Sequence, residues 1–95
     1  MKDLSVSLLL DVYGSLLNEK QYRIVVDYYN EDLSLSEISE NENITRQAAH
    51  DTIKRTVQLL HTYEEKLNYL ATVNNLKKAA ELENIEEIYR IIENL

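Results

Sequence analysis

Two helix starts separated by only a few residues constrain this chain more than any other feature of it. At the first, Ser34 and Glu37 have the Ser-x-x-Glu spacing of a capping box, in which each side chain satisfies a free amide of the first helical turn. Leu33 and Ile38 flank it where a hydrophobic staple closes. At the second, Thr45 offers a hydroxyl cap, with Ile44 before it and an apolar row at Ala49, Ile53, Val57 and Leu60 after it. Glu42 to Ile44 is left as a very short turn. The pattern predicts a helix-turn-helix over residues 34–57, the motif that lays its second helix in a DNA major groove.

What surrounds the motif must be helical too. The chain has no Pro and a single Gly, and its apolar residues are mostly Leu, Ile, Val and Tyr, which suits helices joined by short polar turns. Its 95 residues make one small domain, 1–95, with no linker dividing it, so the expected fold class is all-α. The absence of Cys excludes a disulfide framework, a thiol nucleophile and a thiolate metal site. No stretch approaches a membrane span, and the N-terminus lacks a signal-peptide pattern, so a cytoplasmic protein is expected.

The first helix is expected over about Leu4 to Leu17, where Leu9, Val12, Tyr13, Leu16 and Leu17 recur at helical spacing and Gly14 is a weak point. Asn18, with Gln21 three residues on, opens a second helix to about Tyr29. Ile24, Val25, Val26, Tyr28 and Tyr29 make it apolar on more than one face, so it should be the central, most buried element. Asn30-Glu31-Asp32 turns the chain into the motif. The second motif helix should outrun the motif, from about Arg46 to Leu67. Leu60, Tyr63, Leu67 and Leu70 then resemble a short coiled-coil seam for a partner helix, giving a dimerisation region over 60–95. Asn74-Asn75 interrupts that pattern, and Asn84 with Glu87 reads as a further capping box opening a last helix.

The runs Leu10-Asp-Val-Tyr-Gly-Ser-Leu-Leu-Asn-Glu-Lys-Gln21, Tyr28-Tyr29, Asp32-Leu-Ser-Leu-Ser-Glu-Ile38, Thr45-Arg-Gln-Ala48, Asp51, Ile53-Lys-Arg-Thr56 and Tyr63-Glu-Glu-Lys-Leu67 carry a family resemblance. From about Leu9 to Leu67 the chain resembles the YlxM family of helix-turn-helix proteins, whose fold is similar to region 4 of bacterial sigma factors. Members are small cytoplasmic proteins, often encoded beside the protein component and receptor of the signal recognition particle. The resemblance implies a role in that pathway and a homodimer built through the helices after the motif. Where Glu-Ile-Ala-Glu-Glu-Leu-Gly-Ile-Ser is typical of the family, this chain has Glu37-Ile-Ser-Glu-Asn-Glu-Asn-Ile-Thr45. Asn43 replaces the turn Gly, which the left-handed tolerance of Asn allows. Glu42 replaces a large apolar residue that packs under the turn, and Ala49 replaces a usual Val. A buried carboxylate without a partner costs several kcal/mol, so Glu42 is expected to point out to solvent.

A net charge of −7 runs against duplex binding, which releases counterions through a basic face. Its distribution favours the motif: from Ile44 to Gln58, Arg46, Lys54 and Arg55 face only Asp51. The candidate nucleic-acid-binding residues are Thr45, Arg46, Gln47, His50, Lys54 and Arg55. Arg46 and Gln47 are the base-edge candidates, because Arg forks onto guanine and Gln onto adenine; Thr45, Lys54 and Arg55 suit phosphates. Asp51 is expected to pair with Lys54 or Arg55 along the helix. His50 and His61 stand too far apart to share a metal, the Tyr residues follow the packing stripes, and no arrangement of acids and nucleophiles suggests an enzyme. No metal or cofactor is expected. Two functions fit: a nucleic-acid-binding regulatory protein, with nucleic acid and signal recognition particle components as partners, or a protein-interaction adaptor whose helix-turn-helix scaffold no longer binds nucleic acid.

Overall fold

The single-Gly sequence makes its sharp turns with polar residues instead, and where it does so decides the helix boundaries. A computed structural model describes residues 4–95. It contains α1 (Leu4–Tyr13), α2 (Glu19–Tyr29), α3 (Leu35–Glu42), α4 (Arg46–Leu67), α5 (Tyr69–Glu81) and α6 (Ile85–Glu93), with a 3₁₀ turn at Gly14–Leu16. Among the described residues there is no strand, and no helix is long and apolar enough to cross a membrane. Asp32, Asn43, Asn68 and Glu83 have positive φ, and three of the four are the Asp or Asn whose short side chains tolerate that region best.

Three caps fall where the sequence predicts them. Asn18 and Gln21 exchange hydrogen bonds at the start of α2, with Gln21 N–H donating to Asn18 Oδ1 (2.8 Å) and Asn18 N–H to Gln21 Oε1 (3.1 Å). Ser34 and Glu37 do the same at the start of α3, both at 3.1 Å. Thr45 Oγ1 accepts from Ala48 N–H at the start of α4 (3.0 Å). At α6 the box is only half made: Asn84 Oδ1 accepts from Glu87 N–H (3.0 Å), but the Glu87 carboxylate turns to Arg90.

α2 is central because its two fully buried side chains point into different clusters. Val25 joins Val6, Leu9, Leu10 and Tyr13 of α1 and Leu60 of α4, while Ile24 joins Ile38 of α3 with Ala49 and Ile53 of α4. Tyr29 and Val57 touch both clusters and weld them into one core.

The structure corrects three expectations about boundaries. α1 ends at Tyr13 and not near Leu17; Gly14 is buried against the Tyr22 ring, and a Cβ there would stand 2.8 Å from that half-exposed ring and push it aside. Asn74-Asn75 does not interrupt anything, because both lie on the exposed side of α5. The break comes earlier, at Asn68, whose φ of 50° ends α4. Consequently Leu60, Tyr63, Leu67 and Leu70 do not form one row. Leu60 is buried, Tyr63 and Leu70 pack on the same cluster, and Leu67 is exposed, so three of the four contribute to the chain's own core.

Across the Asn68 break, Glu64 supplies the cap that Asn68 does not. Its carboxylate accepts from Ala71 N–H (3.4 Å) and from the Tyr13 hydroxyl (3.1 Å), while Tyr69 N–H donates to that hydroxyl (3.3 Å). Burial raises the Tyr13 phenol pKa, so the hydroxyl keeps the proton it donates. Beyond this latch α5 and α6 pack mainly on each other, extending a molecule of 53 × 23 × 17 Å.

Ile38 is completely buried at the centre of the second cluster and closes the staple with Leu33. Ile38→Ala should cost about 2–5 kcal/mol, the range for deleting a buried aliphatic side chain. Ile38→Asp should abolish the cooperative thermal transition, since a buried unpaired charge rivals the whole ~5–15 kcal/mol stability of a small domain. A melt of Ile38→Asp matching the parent protein would mean that the inner face of α3 lies elsewhere.

Candidate nucleic-acid interface

What α4 can present outward depends on how the turn before it is held. Ile44 N–H donates to Ser39 O (3.0 Å) and Asn43 N–H to Glu40 O (3.3 Å), the paired bonds of a Schellman turn with Asn43 as its left-handed residue. Such a turn normally packs the residue after the left-handed position against the preceding helix, and here Ile44 joins Ile38 in the second cluster. The substitution of Asn for Gly is therefore accommodated at the expected position.

Glu42 overturns the expectation that it points out. Its side chain is only 8% exposed, and Arg23 of α2 grips it with two bonds, Nε to Oε2 at 2.6 Å and Nη2 to Oε1 at 2.7 Å. This forked geometry is the strong form of the ion pair. The guanidinium holds the Glu42 carboxyl below the usual glutamate range against the opposing effect of burial. Asp27, one turn further along α2, is pushed up by burial and then by the neighbouring Glu42 charge. Under the turn, where the family resemblance implies an apolar contact, stands an ion pair between α2 and the end of α3. Glu42 at a position suited to Leu was the visible signal; that Arg23 answers it could not be read from a separation of this length in sequence.

The predicted residues occupy different parts of the α4 surface. Thr45 spends its oxygen on the cap, leaving its proton free to donate outward. Arg46 follows in a first turn that contains no acid, where the amide dipoles add to its positive field. Arg46 and Lys54 are exposed and take part in no ion pair among the described residues. Gln47 is already engaged, donating from Nε2 to Asp51 Oδ1 (2.9 Å), and His50 Nδ1 lies 3.7 Å from the same oxygen. The expected pairing of Asp51 with Lys54 or Arg55 is therefore corrected: its carboxylate faces Gln47 and His50, and Arg55 Nε reaches only the Asp51 backbone oxygen (3.3 Å). Forked adenine recognition by Gln47 would first require its bond to Asp51 to break.

His50 and Lys54 flank a shallow groove with Tyr28 and Leu35, whereas Arg55 lines a cleft that Lys20 of α2 also lines, and a further one that it shares with Asp51 and Lys54. The site therefore has a tip (Thr45, Arg46), a centre (Gln47, Asp51) and two flanks. Sequence reasoning missed Lys20, whose place in the first turn of α2 gave no hint that it lines one cleft with Arg55.

A family model described as "Putative helix-turn-helix protein, YlxM / p13 like" (UPF0122) matches residues 1–94. A UPF0122 protein of Fusobacterium nucleatum is 46% identical over 93 residues, covering 92% of this chain and 88% of the relative. One from Desulforamulus reducens is 51% identical over 74 residues, covering 78% of this chain and 63% of the relative. Another, from Clostridium kluyveri, is 45% identical over 86 residues, covering 88% and 78%.

The Arg23 and Glu42 pair predicts an asymmetry. Arg23→Ala leaves a mostly buried carboxylate beside Asp27 and should lower the melting temperature by about 5 °C, whereas Glu42→Leu restores apolar packing and leaves an exposed cation, with little loss. Because the folded Glu42 pKa is depressed, its contribution is complete above the ordinary glutamate pKa of about 4.3 and is lost as pH falls through the lower folded value. Glu42→Leu should lack that acid-sensitive component in melts taken across this range. Equal losses from both substitutions at neutral pH would refute the arrangement.

Proposed function

The chain belongs to the YlxM/p13-like helix-turn-helix family, and from that premise we propose that it is a nucleic-acid-binding regulatory protein. It works in the cytoplasm by docking the first turns of α4, with no chemistry of its own. The observation that carries this reading is the acid-free, capped start of α4, held by the Asn43 turn and carrying Arg46 with no ion pair among the described residues. Arg46 reads base edges at the tip, Thr45 and Lys54 meet backbone phosphates, and Arg55 supports them from the flank. The family resemblance extends the reading to the RNA or protein components of the signal recognition particle.

The adaptor reading also has a specific observation in its favour. Ile85, Tyr89 and Ile92 form an apolar side of α6 that stays exposed, along with Leu82 before it and Leu95 after it. Such a surface on a protein of net charge −7 suits a protein partner. In the nucleic-acid reading a second copy of the chain covers it, which sets two α4 helices at a fixed spacing.

Anisotropy of labelled signal-recognition-particle RNA and of random duplex DNA separates the two. Arg46→Ala with Lys54→Ala should weaken binding about tenfold at low salt and flatten the salt dependence by roughly two counterions. Binding by the parent protein that the double substitution leaves unchanged would sink this use of α4. Sedimentation of Tyr89→Glu with Ile92→Glu should give a monomer that melts like the parent, because neither side chain is buried; a dimer that persists would move the second copy to another surface.

A further inference from the structure

We infer that the cleft between the start of α2 and the middle of α4 is a separate seat for one backbone phosphate of a double-stranded nucleic acid. The inference rests on the docking role of α4 and adds a second point of attachment to it. The cleft, of about 320 Å³, is lined by Asn18, Lys20, Gln21, Thr52, Arg55 and Thr56. No carboxylate is among them. Lys20 and Arg55 come from different helices and bring two exposed cations to one concavity.

The neutral groups point to the same ligand chemistry. The Asn18 and Gln21 capping box uses both side-chain oxygens to accept backbone N–H bonds. Each planar amide thereby keeps its NH₂ end, a pure donor, for something outside the cap. Thr52 adds a hydroxyl. Thr56 is 1% exposed, and its Oγ1 is the buried side-chain polar atom left without a hydrogen-bond partner among the described residues. The acid in this turn, Glu19, lines a different cleft beside Asp11 and Gly14. A lining of donors and cations around an unfilled hydroxyl suits an oxyanion and disfavours a cation or an apolar group.

The docking role of α4 supplies the oxyanion. At about 3.6 residues per turn and a rise of about 1.5 Å, Arg55 stands about 13 Å along α4 from Arg46 and on the other side of the helix, so the two cannot serve the same contact. With Arg46 at the bases, the cleft is left to take a backbone phosphate beside the groove. Contacts of this kind fix the register of the helix and carry no sequence information.

The test measures binding of labelled duplex DNA, in two unrelated sequences, against salt concentration for the parent protein, Lys20→Gln with Arg55→Gln, and Lys20→Arg with Arg55→Lys. The Gln pair should weaken both sequences equally, by about tenfold at low salt, and reduce the slope of log K against log salt by about one to two. The charge-conserving pair should bind like the parent. Both positions are exposed, so melting temperatures should match throughout. If the parent binds and the Gln pair keeps its slope, the cleft is not a phosphate seat while the docking role of α4 stands. Failure of the parent to bind duplex DNA overturns the cleft as a duplex-phosphate seat, and the docking role of α4 falls with it only if signal-recognition-particle RNA is not bound either.

Discussion

The left-handed turn at Asn43 is the constraint on which the working surface depends. It ends α3, reverses the chain and drops Ile44 against Ile38, so the start of α4 is fixed by burial as well as by backbone bonds. Glycine makes such a turn without steric cost, and Asn makes it at a small one. Beneath the turn, apolar packing has given way to the Arg23 and Glu42 pair. That exchange trades a non-directional contact for a directional one: the forked guanidinium fixes both the distance and the angle between α2 and the end of α3. It also ties the geometry of the motif to pH at the acid end, which a leucine in the same place would not do.

α2 has a second part in this arrangement. With Ile24 and Val25 buried on different sides, it is the wall against which α1, α3 and α4 are all assembled. Its exposed side then adds cations to those of the motif: Arg23 steadies the turn, and Lys20 lines one cleft with Arg55 at the flank of α4. A chain with an excess of acid thereby gathers basic side chains around one helix without a basic tract in its sequence. On the docking surface itself the exception is Asp51, whose carboxylate is occupied by Gln47 and lies close to His50. This occupation lessens the repulsion that a phosphate would meet there and restrains the side chain best suited to reading adenine.

Beyond Asn68 the structure changes character. The Glu64 carboxylate, the Tyr13 hydroxyl and the first amides of α5 form a polar latch at the base of an arm that otherwise packs mainly on itself. The core needs α4 only as far as Leu60 and Tyr63, so the arm can present an apolar side without destabilising the motif. In the proposed function, recognition of nucleic acid and contact with a second chain accordingly fall to different parts of one long molecule.

Local physics was legible from the residues alone. Caps at Asn18, Ser34 and Thr45 act over three residues, and the rows containing Ile24, Ile38, Ala49 and Ile53 follow helical periodicity. Helix starts, the inner faces and the all-α class could therefore be read without coordinates. The end of α1 could not, because the ring that packs against Gly14 comes from another helix, nor could the break at Asn68, where several Asn residues compete as candidates. At the site, the sequence identified which α4 residues face outward but not what each is doing there. The Gln47 bond to Asp51, the Arg23 grip on Glu42 and the meeting of Lys20 with Arg55 depend on rotamers and on helices brought together by folding. Short-range hydrogen bonding and periodicity are written into neighbouring residues, so the sequence by itself determined the elements. Pairing between charges on different helices depends on distances that exist only after the core has closed, so only the tertiary structure decided how the surface is wired.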